Sequence, residues 1–495
     1  MPVRTAYVIS DLHIGGDYGK PDQPEDRGFR LLTRTQTLVN FIQDLANKPR
    51  GEGIELIING DFVDFLAERH PGSPEWMPFM DRSQVAVDQL DRIVDREKDH
   101  GASIVAALAG YLARGHRLVL IQGNHDLELS FPQVRAKLRK VLEAEGRDFL
   151  FLYDGEAYVF GDTVIEHGHR LDGFNKVDQG RLNEVRGRFS RGAAEVPLDL
   201  FLPPPGSRLV CEVMNPIKKD YPFVDLLKPE TEALVPLLLA LEPGYRKKIG
   251  SLLRLWLEAQ WRSPRADDIW RDGTGLYPLR TYGTGLEGTG GGPLSDDAAL
   301  NQVMTRVLGT QARDFMAALA PPMAEEKEEG TLLTYETKLW SPIQELLGLA
   351  ALILGQGNLA ERLPYLRQAL QALQNDHSFD EGIEAESYLN PAQELIQGPI
   401  RNVVFGHTHL AKKVALGGGQ YFNSGTWADL IEVPKEVMSG PEDQALAELQ
   451  AFVMDLKDRR LSRWLRYRPT YVRLDLQADG RTTGELVEYQ DGAAV

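Results

Sequence analysis

Five short polar clusters in this 495-residue chain carry side chains of the types that can bind divalent metal ions. In order they are Ser10-Asp11-Leu12-His13, Asn59-Gly60-Asp61-Phe62-Val63-Asp64, Gly123-Asn124-His125-Asp126, His167-Gly168-His169 and Gly406-His407-Thr408-His409. Each alone is a weak signal. Asp11 reads equally well as a cap of the following segment, and Asp61 or Asp64 as an Asx turn. Together they are stronger: the chain has ten histidines, six of them fall in these clusters, and both His-x-His pairs follow strand-like runs. His70, His100, His116 and His377 lie outside any cluster and read as ordinary histidines.

Imidazoles, carboxylates and one carboxamide, with no thiolate, suit Zn, Mn or Fe, with Mg a further candidate. Two ions roughly 3.5–4 Å apart need a bridging carboxylate, and the Gly60-Asp61 turn offers one. Glycines at 60, 123, 168 and 406 let the backbone turn sharply beside such ions.

Positioning these groups requires strands that end together. Tyr7–Ser10, Leu56–Ile58, Leu118–Ile121, Phe149–Tyr153 and Thr163–Ile165 read as strands, several nearly continuous in Val, Ile and Leu as buried strands are. Helical patterns at Arg30–Ala46, Arg82–Arg114 and Gln133–Ala144 alternate with them, which predicts an α/β layer architecture. The polar clusters begin where strands end, the place at which α/β folds bind ligands.

From about Gly173 to Gln397 the text becomes mostly helical, through Pro229–Trp261, Lys338–Leu354 and Asn358–Leu373. Gly273–Gly292 reads as a flexible loop, and Glu325–Glu329 as a solvated helix end. Leu253, Leu255, Trp256 and Trp261 form a stripe expected in a helical core, with lipid contact as the sharper alternative. Strands return at Asn402–Phe405, Gln420–Phe422 and Tyr471–Leu476, the last pairing with Gly484–Tyr489 across Ala478-Asp479-Gly480. The expected division is therefore a core at 1–172 and 401–495, interrupted by a helical insertion at 173–400. Because that insertion lies between His167 and His407, it is expected to cap the pocket.

Composition narrows the function. With 55 basic and 72 acidic residues the net charge is −17, which disfavours a general nucleic-acid binder. Cys211, the only cysteine, removes disulfide frameworks and cysteine zinc sites together. The runs Leu234–Leu241 and Leu346–Leu354 fall short of the roughly 18–20 residues of a membrane span, and the opening residues show no secretory signal pattern, so a cytoplasmic location is expected.

The ordered pattern D-x-H, G-D-x-x-D, G-N-H-D, a later His and G-H-x-H resembles the calcineurin-like metallophosphoesterase superfamily, over Val3–Asp172 and from Arg401 to the C-terminus. The resemblance implies a four-layer α/β/β/α sandwich and two divalent ions. Asp11, His13 and His409 would bind one ion and Asn124, His167 and His407 the other, with Asp61 bridging. His125 would be the catalytic histidine, oriented by Asp126. Hydrolysis of a phosphate mono- or diester in a small phosphorylated substrate, by attack of a metal-bridged hydroxide, is the implied activity. Asp64 would support the ligands from behind, His169 would support them or face the substrate, with plain packing or solvent exposure as its bland alternative, and Arg170, Asn175 and Arg181 are candidates for gripping the substrate. Ser10–Gly15 and Asn423-Ser424-Gly425-Thr426-Trp427 look most like the lineage of the UDP-2,3-diacylglucosamine pyrophosphatases, which carry Arg where this chain has His125 and a shorter insertion. A pyrophosphatase-like hydrolase is therefore an alternative, with a metal-dependent nuclease or a non-catalytic scaffold behind it.

Overall fold

Runs of Val, Ile and Leu become the strands that carry the site. A computed structural model describes residues 4–16, 28–49, 53–69, 75–99, 103–243, 348–349, 351–352, 357–396 and 398–492. Its strands are β1 (Arg4–Ile9), β2 (Ile54–Asn59), β3 (Arg117–Ile121), β4 (Phe149–Leu152), β5 (Tyr158–Phe160), β6 (Thr163–Ile165), β7 (Leu227–Lys228), β8 (Asn402–Phe405), β9 (Ala411–Leu416), β10 (Gly419–Ser424), β11 (Asp429–Glu432), β12 (Leu465–Tyr467), β13 (Thr470–Leu476) and β14 (Thr482–Glu488). They form a six-stranded sheet ordered β14-β13-β1-β2-β3-β4, a five-stranded sheet ordered β5-β6-β8-β10-β9, and a small third sheet, β12-β11-β7.

Strands β1 to β4 run parallel and in register, so the loops after β1, β2 and β3 leave one edge of the sheet together. In the second sheet β6 and β8 are likewise parallel, which brings the residues after Ile165 and after Phe405 side by side. The hairpin expected across Ala478-Asp479-Gly480 forms between β13 and β14.

Alternation of side chains across each strand builds the layers. Ala6, Val8, Ile57 and Val119 of the larger sheet pack with Ile165, Val404 and Phe422 of the second in an apolar layer between the sheets. The opposite face of the larger sheet, with Tyr7, Ile9, Leu56 and Ile58, is covered by helices Thr35–Ala46 and Ile104–Ala113 through Leu38, Phe41, Ile42, Leu108 and Leu112. The outer face of the second sheet, with Val403, Phe405 and Tyr421, is covered by helix Glu386–Leu395 and Ile396. This is the four-layer α/β/β/α sandwich.

Two helical readings need correction. Arg82–Arg114 is two helices, Ser83–Asp99 and Ile104–Ala113. Ser103 caps the second by accepting from the Ala106 N–H at 3.1 Å, and Glu97 accepts from the Ile104 and Val105 N–H groups. The helix expected from Arg30 starts at Thr35, because Thr33 and Arg34 are bound to Asp429 at 2.9 and 3.3 Å.

The chain divides into two compact units, Met1–Lys228 with His377–Glu432 and Asp458–Val495, and Pro229–Asp376 with Val433–Lys457. These boundaries differ from 1–172, 173–400 and 401–495. Residues 173–228 lie with the sandwich because helix Gln179–Ser190 buries Leu182, Val185 and Phe189 in its core. The second unit is helical where described: helix Leu359–Ala369 packs against Glu230–Leu241 and Glu442–Lys457. The readings of Leu253, Leu255, Trp256, Trp261, Gly273–Gly292 and Glu325–Glu329 lie outside the described residues, as does most of Lys338–Leu354. Among the described residues no helix is long and apolar enough to cross a membrane.

Candidate metal centre

The loops at the strand ends are held in backbone conformations that L-residues seldom adopt. Asp11, His13, Asp61, His407 and His409 have φ of 54°, 45°, 48°, 72° and 65°, five of the seven non-glycine residues with positive φ among those described. Such left-handed residues cost roughly 1–3 kcal/mol each and cluster where geometry serves function. They are locked by neighbours: the Asp11 N–H donates to the Gly60 carbonyl at 3.2 Å, the His13 N–H to the Asp61 carbonyl at 2.9 Å, and the His407 N–H to both Asp11 carboxylate oxygens at 3.1 and 3.0 Å. The loops also pack without room for side chains. A Cβ on Gly60 would collide with the His167 ring, and one on Gly123 with the Asp61 carboxylate.

These turns bring six of the seven expected ligands into overlapping groups, and the seventh, Asn124, beside them. Ligand atoms of Asp11, His13 and His409 lie within 4.8 Å of one another, as do those of Asp61, His167 and His407, and those of His13, Asp61 and His125. His13 Nε2 and His409 Nε2 are 3.0 Å apart, and His409 Nε2 is 3.5 Å from Asp11 Oδ1. Asp61 Oδ2 stands 3.2 Å from His167 Nε2 and 3.7 Å from His13 Nε2. Asn124 Oδ1 lies 3.3 Å from His167 Nε2. Asp11, His13, Asp61, Asn124 and His167 are all buried.

Burial raises the pKa of the Asp61 carboxyl, but His167, His125 and His13 outweigh it and hold the group well below its usual range. Burial lowers the His167 and His125 pKa values, yet Asp61 and Asp64 drive them up to about 9 and about 10. His409 is pushed well below the usual imidazole value by burial and by Lys228 and His13. Among the described residues, every ion pair that Asp11, Asp61 and Asp64 make is with histidine, never with lysine or arginine. A buried nitrogen and oxygen donor set whose carboxylates have no ammonium or guanidinium partner fits divalent cations.

Behind the ligands, Asp64 does more than stabilise a turn. Its Oδ2 lies 3.2 Å from His13 Nδ1 and its Oδ1 3.2 Å from His125 Nδ1, while Oδ1 also accepts from the Ala67 N–H at 3.0 Å. The carboxylate that His125 meets is therefore Asp64 rather than Asp126. Asp126 spends its oxygens on the Phe62 and Gly123 N–H groups, at 2.9 and 2.8 Å, and pins the second and third loops together. His125 is the more open imidazole, with 19% of its side chain accessible, and its backbone N–H donates to Asp61 Oδ1 at 2.8 Å.

His169 lies tilted against the His167 ring and edge-on to that of His407, its Nδ1 buried without a partner among the described residues. Burial and those two rings press its pKa well below the usual value. Arg170 is clamped by Glu166 through two bonds of 2.6 Å, and Arg181 pairs with Glu184 on an exposed helix turn. Asn175 touches a candidate ligand, accepting from Asn124 at 3.3 Å. Sequence reasoning missed two contacts. The Asn59 carbonyl lies 2.8 Å from His167 Nδ1, and Asp172 Oδ2 lies 3.1 Å from His407 Nε2. The first is a backbone group, which no motif announces; the second sits three residues past His169, in a coil without a pattern.

Residues 5–208 match the family model of the calcineurin-like phosphoesterases, so this stretch of the chain is similar to that superfamily. Its members are hydrolases of phosphoric ester bonds and typically bind divalent metals. The match ends well before His407 and His409, which β8 and the loop after it return to the same edge. No curated protein matches the chain.

Proposed function

We propose that this protein is a dinuclear metal-dependent phosphoesterase acting on a small phosphorylated substrate. One observation carries the reading: a single oxygen, Asp61 Oδ2, lies within 3.7 Å of His13 in one candidate ligand group and 3.2 Å of His167 in the other, a position from which a carboxylate can bridge two ions. Asp11, His13 and His409 would hold one ion and Asn124, His167 and His407 the second. Divalent ions bound there supply Lewis acidity toward phosphate oxygens and a nucleophile available at neutral pH. The remaining chemistry belongs to the chain. His125, open to the pocket and held by Asp64 through Nδ1, is placed to give a proton to the leaving oxygen from Nε2. The strained loops hold their groups in place before substrate arrives, so less reorganisation opposes the reaction.

Metal analysis after reconstitution with Mn, Zn, Fe or Mg should give two ions per chain. A panel of nitrophenyl mono- and diesters, nucleotides, UDP-sugars and single-stranded DNA would then assign the substrate class. Turnover confined to UDP-sugars would favour the pyrophosphatase alternative, and turnover of DNA the nuclease. Absence of turnover with both ions bound would overturn the enzymatic reading. We also propose that the helical unit selects among substrates. If so, replacing residues 244–347 with a short Gly/Ser linker should spare the nitrophenyl esters and alter the rest of the panel; an unchanged panel would refute it.

A further inference from the structure

Between Asn124 and His407, which belong to distant parts of the sequence, runs an unbroken hydrogen-bonded chain. The Asn124 Nδ2–H donates to Asn175 Oδ1 at 3.3 Å, and Asn175 Nδ2–H donates to Asp172 Oδ2 at 2.7 Å. The same Asp172 oxygen lies 3.1 Å from His407 Nε2. The other oxygen, Oδ1, accepts from the Phe174 N–H at 2.8 Å, so the carboxylate cannot rotate away without losing that bond. Asn175 is seated from behind by Gly206, whose N–H donates to the Phe174 carbonyl at 2.8 Å and where any Cβ would collide with Asn175 Oδ1.

The chain decides which atom each ligand offers. An amide that donates through Nδ2 to Asn175 presents Oδ1 to the site, where it stands 3.3 Å from His167 Nε2. An imidazole that donates through Nε2 to a carboxylate keeps its Nδ1 lone pair free. We propose that Asp172 and Asn175, seated by Gly206, are positioning residues that fix the amide orientation of Asn124 and the tautomer of His407, and so set the affinity of the second ion alone. This rests on the two-ion reading above. It also gives Asn175 a role other than gripping substrate.

Calorimetric titration with Mn(II) of the wild type and of Asp172→Ala, Asp172→Asn, Asn175→Ala and Gly206→Ala tests it. The wild type should bind two ions. Asp172→Ala and Asn175→Ala should weaken the second by roughly 10–100-fold and leave the first unchanged. Asp172→Asn, which keeps an acceptor for His407, should recover part of the loss. Gly206→Ala removes no polar group, yet should reproduce Asn175→Ala by displacing that side chain. In the metal-free protein, nitrogen NMR should show His407 as a single Nε2–H tautomer that becomes a mixture in Asp172→Ala. If Asp172→Ala does not fold, the Asn175 and Gly206 variants decide. Two ions bound at wild-type affinity in folded variants would overturn the proposal while sparing the two-ion reading. A wild type that binds one ion would overturn both.

Discussion

The Asp11 side of the site and the Asn124 side are positioned by different means. On the first, Asp11, His13 and His409 all sit in the left-handed region, and neighbouring backbone, the Gly60 and Asp61 carbonyls, holds Asp11 and His13 there. Thr426 adds a bond of 2.7 Å to the Asp11 carbonyl. On the second, Asn124 and His167 keep negative φ and are aimed by partners of their side chains: Asn175 for the amide, the Asn59 carbonyl for the imidazole. His407 belongs to both modes, with a left-handed backbone and a carboxylate partner in Asp172. Backbone positioning is resistant to side-chain substitution nearby. Side-chain positioning can be tuned one contact at a time, so the two halves should respond differently to mutation.

Asp61 joins the halves, so its loss should cost most. Asp61→Asn keeps the volume, removes the charge that faces His13 and His167, and should lower kcat/KM by on the order of 10⁴-fold or more, from the several kcal/mol a metal's charge contributes. Metal content should fall with it. Two tightly bound ions and wild-type turnover in this variant would mean that Asp61 bridges nothing.

His125 tests whether the site does proton chemistry beyond what either half binds. His125→Ala should lower kcat by roughly 10²–10⁴-fold with both ions retained, and more for a poor leaving group than for nitrophenol. Equal turnover of both substrates at the wild-type rate would remove His125 from the mechanism. Asp64→Asn should fall below these in effect, at roughly 10–100-fold, because the substituted amide keeps one acceptor for two imidazoles. Its mark would be a double defect, in the ion held by His13 and in the pH profile set by His125. A loss confined to either one would separate the two contacts.

Much of this could be read from residue types. The strands were legible because both-face burial writes itself as continuous Val, Ile and Leu, and the gathering of the seven candidate ligands because each follows such a run. The partner of His125 was not. Asp126 is adjacent in sequence, but the turn directs its carboxylate to the Phe62 and Gly123 N–H groups, and the carboxylate that arrives comes from Asp64, 61 positions earlier. Asp172 and Asn175 were illegible for a related reason. Their contacts form only once β6 and β8 pair and the segment after β6 folds back toward the end of β3, and no periodicity encodes that. The break before Ser103 was written in the sequence, where the apolar spacing of the first helix gives way to the polar run Asp95–His100 and Gly101, and the single-helix reading passed over it.

The smallest expected effect separates burial from its compensation. Asp61 and Asp64 are buried carboxylates held ionised by imidazoles. Glu128, a few residues past His125, is equally buried but has no such neighbour; burial pushes its pKa from 4.5 up to about 7, with the bond from the Met80 N–H only partly opposing it. An acid whose folded pKa lies above its unfolded value binds more protons when folded, so stability falls as pH rises through the window from 4.5 to about 7. Below that window there is no penalty, and above it the full cost of an ionised buried carboxylate remains, at most a few kcal/mol. Gln at this position keeps an acceptor oxygen for Met80 and cannot ionise. Glu128→Gln should therefore match the wild type in Tm near pH 4.5, gain on it as pH rises, and hold a constant advantage above about pH 8. Parallel Tm curves across that range would show that Glu128 ionises as freely in the folded chain as in the unfolded one.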